Sequence, residues 1–316
     1  MTTLYIDRKN AGLRVSRRTL ELRENDRLRQ RIPFTLIERI VIVGNVHVET
    51  GALGALADAG IGIALLGGRR HSHRGMLLGP LGADGARRLA QYRARSSETA
   101  TRAIARCLLQ RKLAGQQRLL HKALAKRPDK RRPLKKASAE LARLRERLRR
   151  PDLPVDALRG IEGAAAAAYF AAWGQLLPPG AGFQGRRRRP PPDPVNAALS
   201  LGYTLLYGEA VAAIHAAGLD PALGYLHEPA WGRASLAADL IEPLRPRHDE
   251  NVWRLFAERR LTADHFDARD GGHWLGKAGR AIFFARYETH AAPARRWLRL
   301  FLNDLIHRLR EERYDA

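Results

Sequence analysis

Three scarcities set the first limits on this 316-residue chain. It has a single cysteine, Cys107, which excludes an internal disulfide framework and a cysteine-based zinc cluster. It has no run of about 20 uninterrupted apolar residues of the kind that spans a bilayer. Its start, MTTLYIDRKN, alternates apolar and polar residues and lacks the apolar core and small-residue cleavage site of a secretory signal. These absences predict a cytoplasmic globular protein with no membrane partner. Acidic residues are also short: 32 Asp and Glu stand against 56 Lys and Arg, a formal net charge of +24. Such an excess calls for a polyanion, nucleic acid first. Compositional bias alone would spread the charge evenly, but residues 101–150 hold eighteen Lys and Arg against only Asp129, Glu140 and Glu146. Concentration of this kind suits a surface that tracks phosphates.

The patterning divides the chain in two. Up to about residue 84, the short alternating or β-branched runs LYIDR, LRVS, TLELRE, ERIVIVG and GIGIALLG predict strands, with one helix in VETGALGALADAG ended by Gly60 and a last strand in RGMLLGP. From residue 85 the period is helical. Helices are predicted from Arg87 to Lys126, over 135–150, 155–177, 195–217 and 233–245, and over 292–313. Pro243 must kink the fifth of these or cost it a hydrogen bond to the carbonyl of Asp239. The fold class is therefore α+β, a small β-rich, β-sandwich-like part (1–84) followed by a larger all-α part (85–316).

One constellation can carry chemistry. Asp239 and Glu242 are three apart on a helix and can reach a common point, and His227 precedes them by twelve residues. Oxygen donors with one imidazole suit Mg²⁺ or Mn²⁺ used with phosphates. The spacing fits equally a structural histidine and acids favoured by a helix start. Glu162 is the sole acid between Asp156 and Asp193, in the apolar segment RGIEGAAAAAYFAAW. An Ala-rich helix of this kind is normally buried, so its carboxylate needs a cation: a salt bridge to an arginine, or a metal. Tyr203 and Tyr207, four apart, read as core aromatics before they read as contacts to DNA ends.

The phrases IEGAAAAAYF, RRRPPPDPVNAALSLGYTLLYGE, AAGLDPALGYLHEP and SLAADLIEPLRP, in this order, together with LYIDRKNAGLRVS, IPFTLIERIVIVG and LADAGIGIALLG, resemble Cas1, the CRISPR-associated integrase, along essentially the whole chain. The resemblance implies a metal-dependent endonuclease and integrase of spacer acquisition. Such an enzyme forms a homodimer through its N-terminal part and acts with Cas2. Its substrates are double-stranded DNA with 3′ ends and CRISPR repeat DNA, and a 3′-hydroxyl attacks a phosphodiester at the repeat boundary. It places the metal on Glu162, His227 and Glu242, with Asp239 as companion acid, and family variation leaves the choice between Asp239 and Glu242 open, with Glu242 favoured. Arg186, Arg187, Arg188 and Arg189, in the loop ahead of the 195–217 helix, and Arg245 are the candidate DNA contacts. A hydrolytic DNA nuclease with the same ligands, or a non-catalytic DNA-binding scaffold, are the alternatives.

Overall fold

A computed structural model of the chain describes residues 2–8, 10–68, 71–80, 82, 85–187 and 190–311. The first part contains β1 (Thr2–Ile6), β2 (Ala11–Ser16), β3 (Thr19–Glu24), β4 (Arg27–Pro33), β5 (Ile37–Val43), β6 (His47–Val48), α1 (Thr50–Asp58), β7 (Gly62–Leu66) and β8 (His73–Leu77). They form two four-stranded sheets, ordered β1-β5-β7-β8 and β4-β3-β2-β6. In the first, β1, β5 and β7 are parallel, and α1 makes the crossover from β5 to β7 that parallel pairing requires. Alternation along β5 explains its unbroken apolar run. Ile40 and Ile42 face a core shared with Leu13, Leu20, Leu22 and Leu56, whereas Val41 and Val43 face the helices. A sheet buried on both faces has no polar side to write into its sequence.

Two strands of this first part were not legible in the pattern. β4, RLRQRIP, is exposed along most of its length and lies at a sheet edge. Edge strands commonly carry charge, which blocks further pairing and also erases the alternation. β6 has two residues only.

Helix takes over at Gly85. The second part contains α2 (Gly85–Ser96), α3 (Glu98–Lys126), α4 (Arg131–Arg147), α5 (Val155–Trp173), α6 (Pro194–Ala216), α7 (Ser235–Ile241), α8 (Arg245–Ala257), β9 (Phe266–Arg269), β10 (Gly272–Leu275) and α9 (Lys277–Glu311). The single helix expected over 87–126 is two, because the Ser97 side chain accepts from the Ala100 N–H at 3.2 Å and starts α3 afresh. The second part is mostly helical rather than wholly so: β9 and β10 form an antiparallel hairpin. The last helix starts at Lys277, fifteen residues before the predicted position, and continues through Pro293.

α6 is the central helix. Asp193 caps it, accepting from the Asn196 N–H at 2.8 Å, and Pro194 occupies its first turn. By length and composition it would cross a membrane, but 67% of its apolar window is buried inside the protein. α5 departs from expectation in the opposite direction. Leu158, Ile161, Ala165, Tyr169, Ala172 and Trp173 are buried, while Gly160, Gly163, Ala164, Ala167 and Ala171 form an exposed face. Small residues there make the helix look apolar all round, although only one side is packed. The two parts of the chain are joined by the shared core and by ion pairs: Glu209 of α6 accepts from Arg39 of β5 and from the Tyr287 hydroxyl at 2.9 Å, and Arg295 of α9 bridges to Glu38 of β5 at 3.4 Å.

Candidate active site

Four elements converge at one point: α3, α5, the segment before α7, and the turn between α7 and α8. Pro243 cannot donate an amide hydrogen, so α7 ends at Ile241 and residues Glu242–Leu244 tighten into a 3-10 turn from which α8 departs. Glu242, at the start of that turn, is wholly buried. It points toward Lys112 of α3, whose ammonium lies 2.6 Å from Glu242 Oε2 and 2.6 Å from Glu162 Oε1. On its other side the Arg245 guanidinium stands 2.9 Å from Glu242 Oε1 and packs over the Tyr203 ring at 4.4 Å. Burial pushes the Glu242 carboxyl up, but Arg245 and Lys112 together outweigh it and hold it down at about 2. Both oxygens are within ion-pair range of a cation, yet neither receives an aligned hydrogen bond. Charge is neutralised there while directional valence is left over.

Asp239 does a different job. Its Oδ2 accepts the backbone N–H groups of Tyr225 at 2.6 Å and Leu226 at 2.9 Å; its Oδ1 accepts the His227 N–H at 2.9 Å and stands 2.7 Å from His227 Nδ1. With both oxygens engaged and no exposure, Asp239 folds the 225–227 segment around itself. The carboxylate is the acceptor, so His227 Nδ1 is the donor, and Nε2 is the nitrogen whose lone pair the neutral ring would offer to a metal. Of the two acids the sequence left open, Asp239 thus orients the histidine and Glu242 faces the cation.

Among the described residues, no three His, Asp, Glu or Cys side chains are set as a finished ligand group. The donor chemistry nonetheless fits a hard divalent cation: two carboxylates already share one positive charge, and the imidazole held by Asp239 lies close enough to Glu242 to act on its charge. Lys112 is the residue the sequence reading missed. Its signal was present: Leu108, Leu109, Lys112, Leu113 and Gln116 lie on the buried stripe of α3, and a lysine on a leucine stripe needs a buried anion.

The arginines fare differently from one another. Arg186 turns inward, bonding Asn196 Oδ1 at 2.9 Å and Ser200 Oγ at 3.1 Å, and so fixes the loop onto α6. Arg187 is exposed; Arg188 and Arg189 lie outside the described residues. Arg245, expected as a surface DNA contact, is spent on Glu242 and Tyr203 because it follows Glu242 by one tight turn. Tyr203 and Tyr207 are structural: the first donates to Asp249, and the second accepts the Ala234 N–H at 2.7 Å ahead of α7. On α4, Leu134, Ala137, Leu141 and Leu144 pack inward while Arg131, Arg132, Lys135, Lys136, Arg143, Arg145 and Arg147 are exposed, so the basic segment does present a positive face.

A family-wide sequence model described as CRISPR associated protein Cas1 matches residues 4–289. The chain belongs to the Cas1 family. CRISPR-associated endonuclease Cas1 1 of Thermodesulfovibrio yellowstonii is 36% identical over 321 residues, covering 99% of this chain and 98% of that protein. Among solved structures, a Cas1 protein from Thermotoga maritima superimposes with a TM-score of 0.85 at 24% identity, covering 98% of this chain and 97% of the other. A casposase bound to its integration product gives 0.84 at 21% identity, covering 99% and 91%. A Cas6-RT-Cas1–Cas2 complex gives 0.82 at 22% identity, covering 98% and 35%. These likenesses establish the fold of a Cas1 protein, and the family and its curated relatives place the chain among CRISPR-associated endonucleases.

Proposed function

We propose that this Cas1 protein joins DNA: it inserts fragments with free 3′ ends into CRISPR repeat DNA by transesterification, as a homodimer acting with Cas2, and it uses Mg²⁺ or Mn²⁺ held by Glu162, His227 and Glu242. The observation that carries the reading is the cation position shared by Glu162 and Glu242, near a histidine held by Asp239. Family membership over residues 4–289 supports the substrate and partner classes. The divalent ion, when bound, polarises the phosphoryl oxygen and eases loss of the proton from the attacking hydroxyl.

The protein's own groups do the positioning. His227 presents Nε2 because Asp239 holds Nδ1. Lys112 and Arg245 keep positive charge beside the carboxylates, where the phosphoryl oxygens become more negative as the 3′-oxygen attacks and the other 3′-oxygen leaves. One phosphodiester forms as one breaks, so alignment of the two DNA ends, rather than bond energy, sets the rate. The exposed face of α4 supplies the charge to hold a duplex backbone.

The test is a joining assay with a 3′-hydroxyl duplex, a repeat-containing plasmid, Cas2 and Mn²⁺ or Mg²⁺. Covalent joining is expected from the parent protein. Glu162→Gln should abolish joining while DNA affinity stays within about twofold, since one neutralised carboxylate leaves the phosphate-contacting surface intact. Cleavage without joining would indicate a hydrolytic nuclease, and joining that survives the substitution would overturn the assignment.

A further inference from the structure

Between His227 and α7 the chain makes a projecting turn whose residues, Glu228 to Arg233, are all exposed. At its tip Trp231 has 102% of full exposure. The other tryptophans are engaged: Trp173 and Trp253 are buried, Trp274 meets His71 edge-on, and Trp297 stacks on Phe301. An indole left entirely in water forgoes the largest burial gain of any side chain.

The turn that holds it out is firmly built. Arg233 N–H donates to Ala230 O at 3.1 Å, and Gly232, at φ 69°, takes the left-handed third position that a type II turn requires and that a side chain would resist. The Arg233 guanidinium bonds Glu228 O and, at 3.1 Å, Ser235 Oγ, while Ser235 Oγ donates to Glu228 O at 2.9 Å. The Glu228 carboxylate is gripped by Arg95 and Arg159, each at 2.6 Å. Arg159 also donates to Leu226 O at 2.8 Å and precedes Glu162 by one turn of α5. The platform is therefore tied on both sides to elements that carry Glu162 and His227.

We infer that Trp231 is a stacking platform for an unpaired nucleobase of the DNA strand whose phosphodiester lies at the Glu162, His227 and Glu242 site; this rests on the function proposed above. A flat ring on a fixed support is what stacking on any base requires. It lies four positions beyond His227, a backbone span of at most about 14 Å, or about four base steps at 3.4 Å each. Arg95, Arg159 and Arg233 exceed Glu228 and Asp156 in charge around the turn, which suits a strand passing beneath. A protein partner would need a broad apolar surround, and beside Trp231 the turn offers only the small Pro229 and Ala230 between Glu228 and Arg233.

The test compares the full-length protein with Trp231→Ala and Trp231→Phe, at one fixed salt concentration, by anisotropy of two labelled DNAs. One is a blunt duplex; the other is the same duplex with a short unpaired 3′ extension. Trp231→Ala should lose about tenfold in affinity for the extended DNA and less than about twofold for the blunt one, and Trp231→Phe should recover most of the loss. An extension built of abasic sites should bind parent and variant alike. Equal affinities of parent and alanine variant for the extended DNA, equal losses on both DNAs, or a change confined to oligomeric state would each overturn the stacking role. A parent protein that binds neither DNA would instead sink the proposed function itself. The side chain makes no contact within the fold, so the variants should melt with the parent.

Discussion

Replacing Lys112 by methionine tests the centre of the site without touching a proposed ligand. The side chain is 6% exposed and its ammonium is shared by Glu162 and the fully buried Glu242. Methionine preserves the stem and its packing on the leucine stripe of α3 but removes the charge. Glu242 is then left with Arg245 alone, and Glu162 with no partner from α3. Breaking a buried pair costs about 3–5 kcal/mol. Lys112 also recovers its own desolvation on removal, and Glu162 is partly exposed, which places the expected loss at the lower end, about 3 kcal/mol. For a protein of this size that corresponds to a melting temperature lower by about 4–5 °C. The variant should be melted in chelator and again across a manganese titration. Manganese should stabilise Lys112→Met more than the parent, because in the parent the ion has to displace an ammonium before it gains the carboxylates, and stabilisation follows the logarithm of ligand over dissociation constant. A variant as stable as the parent in chelator, with the same manganese response, would refute the idea that Lys112 holds the two carboxylates together.

Two further expectations concern the core behind the site. A Cβ on Gly202 would fall 1.9 Å from His248 Cε1, and that ring is boxed in by Tyr203, Phe283 and Tyr287, so Gly202→Ala should cost about 1–3 kcal/mol or more. Gly208→Ala, two turns on in α6, meets His73 at an ordinary 3.7 Å and should gain up to about 1 kcal/mol from helix propensity; denaturant melts giving the reverse order would refute the packing argument. Burial, reinforced by Arg186, His290 and Arg245, keeps the His248 imidazole neutral and lowers it from 6.5 to about 3. The native state resists charging, so this stability is complete above pH 6.5 and drains as pH falls toward 3. Between pH 7 and pH 5 the parent should lose about 2 kcal/mol more than His248→Gln. Equal losses in urea titrations at the two pH values would show that His248 titrates normally in the fold.

Local periodicity carried much of this protein into view. The β-rich start, the helical remainder, the central helix α6 and the break at Pro243 all follow from side-chain spacing and proline chemistry, which act over a few residues. β4 and the β9–β10 hairpin did not, because a charged edge strand and four-residue strands have too little alternation to register. The exposed side of α5 was misread for a related reason: glycine and alanine look apolar in sequence whether they are packed or merely small.

At the site, the sequence determined which residue types were available and in what order: Glu162, His227, Asp239 and Glu242, with a positive charge surplus to meet a polyanion. Only the tertiary structure decided how they divide the work. Asp239 and Glu242 are one helical turn apart and indistinguishable by spacing. Yet one is consumed by three backbone amides and an imidazole, and the other faces a lysine from a helix some 130 residues earlier. Arg245 likewise belongs to the surface by composition and to the interior by packing. A charge's role depends on what lies across the gap from it, and that neighbour comes from a distant part of the chain, brought there by burial of the apolar stripes on α3, α5 and α6.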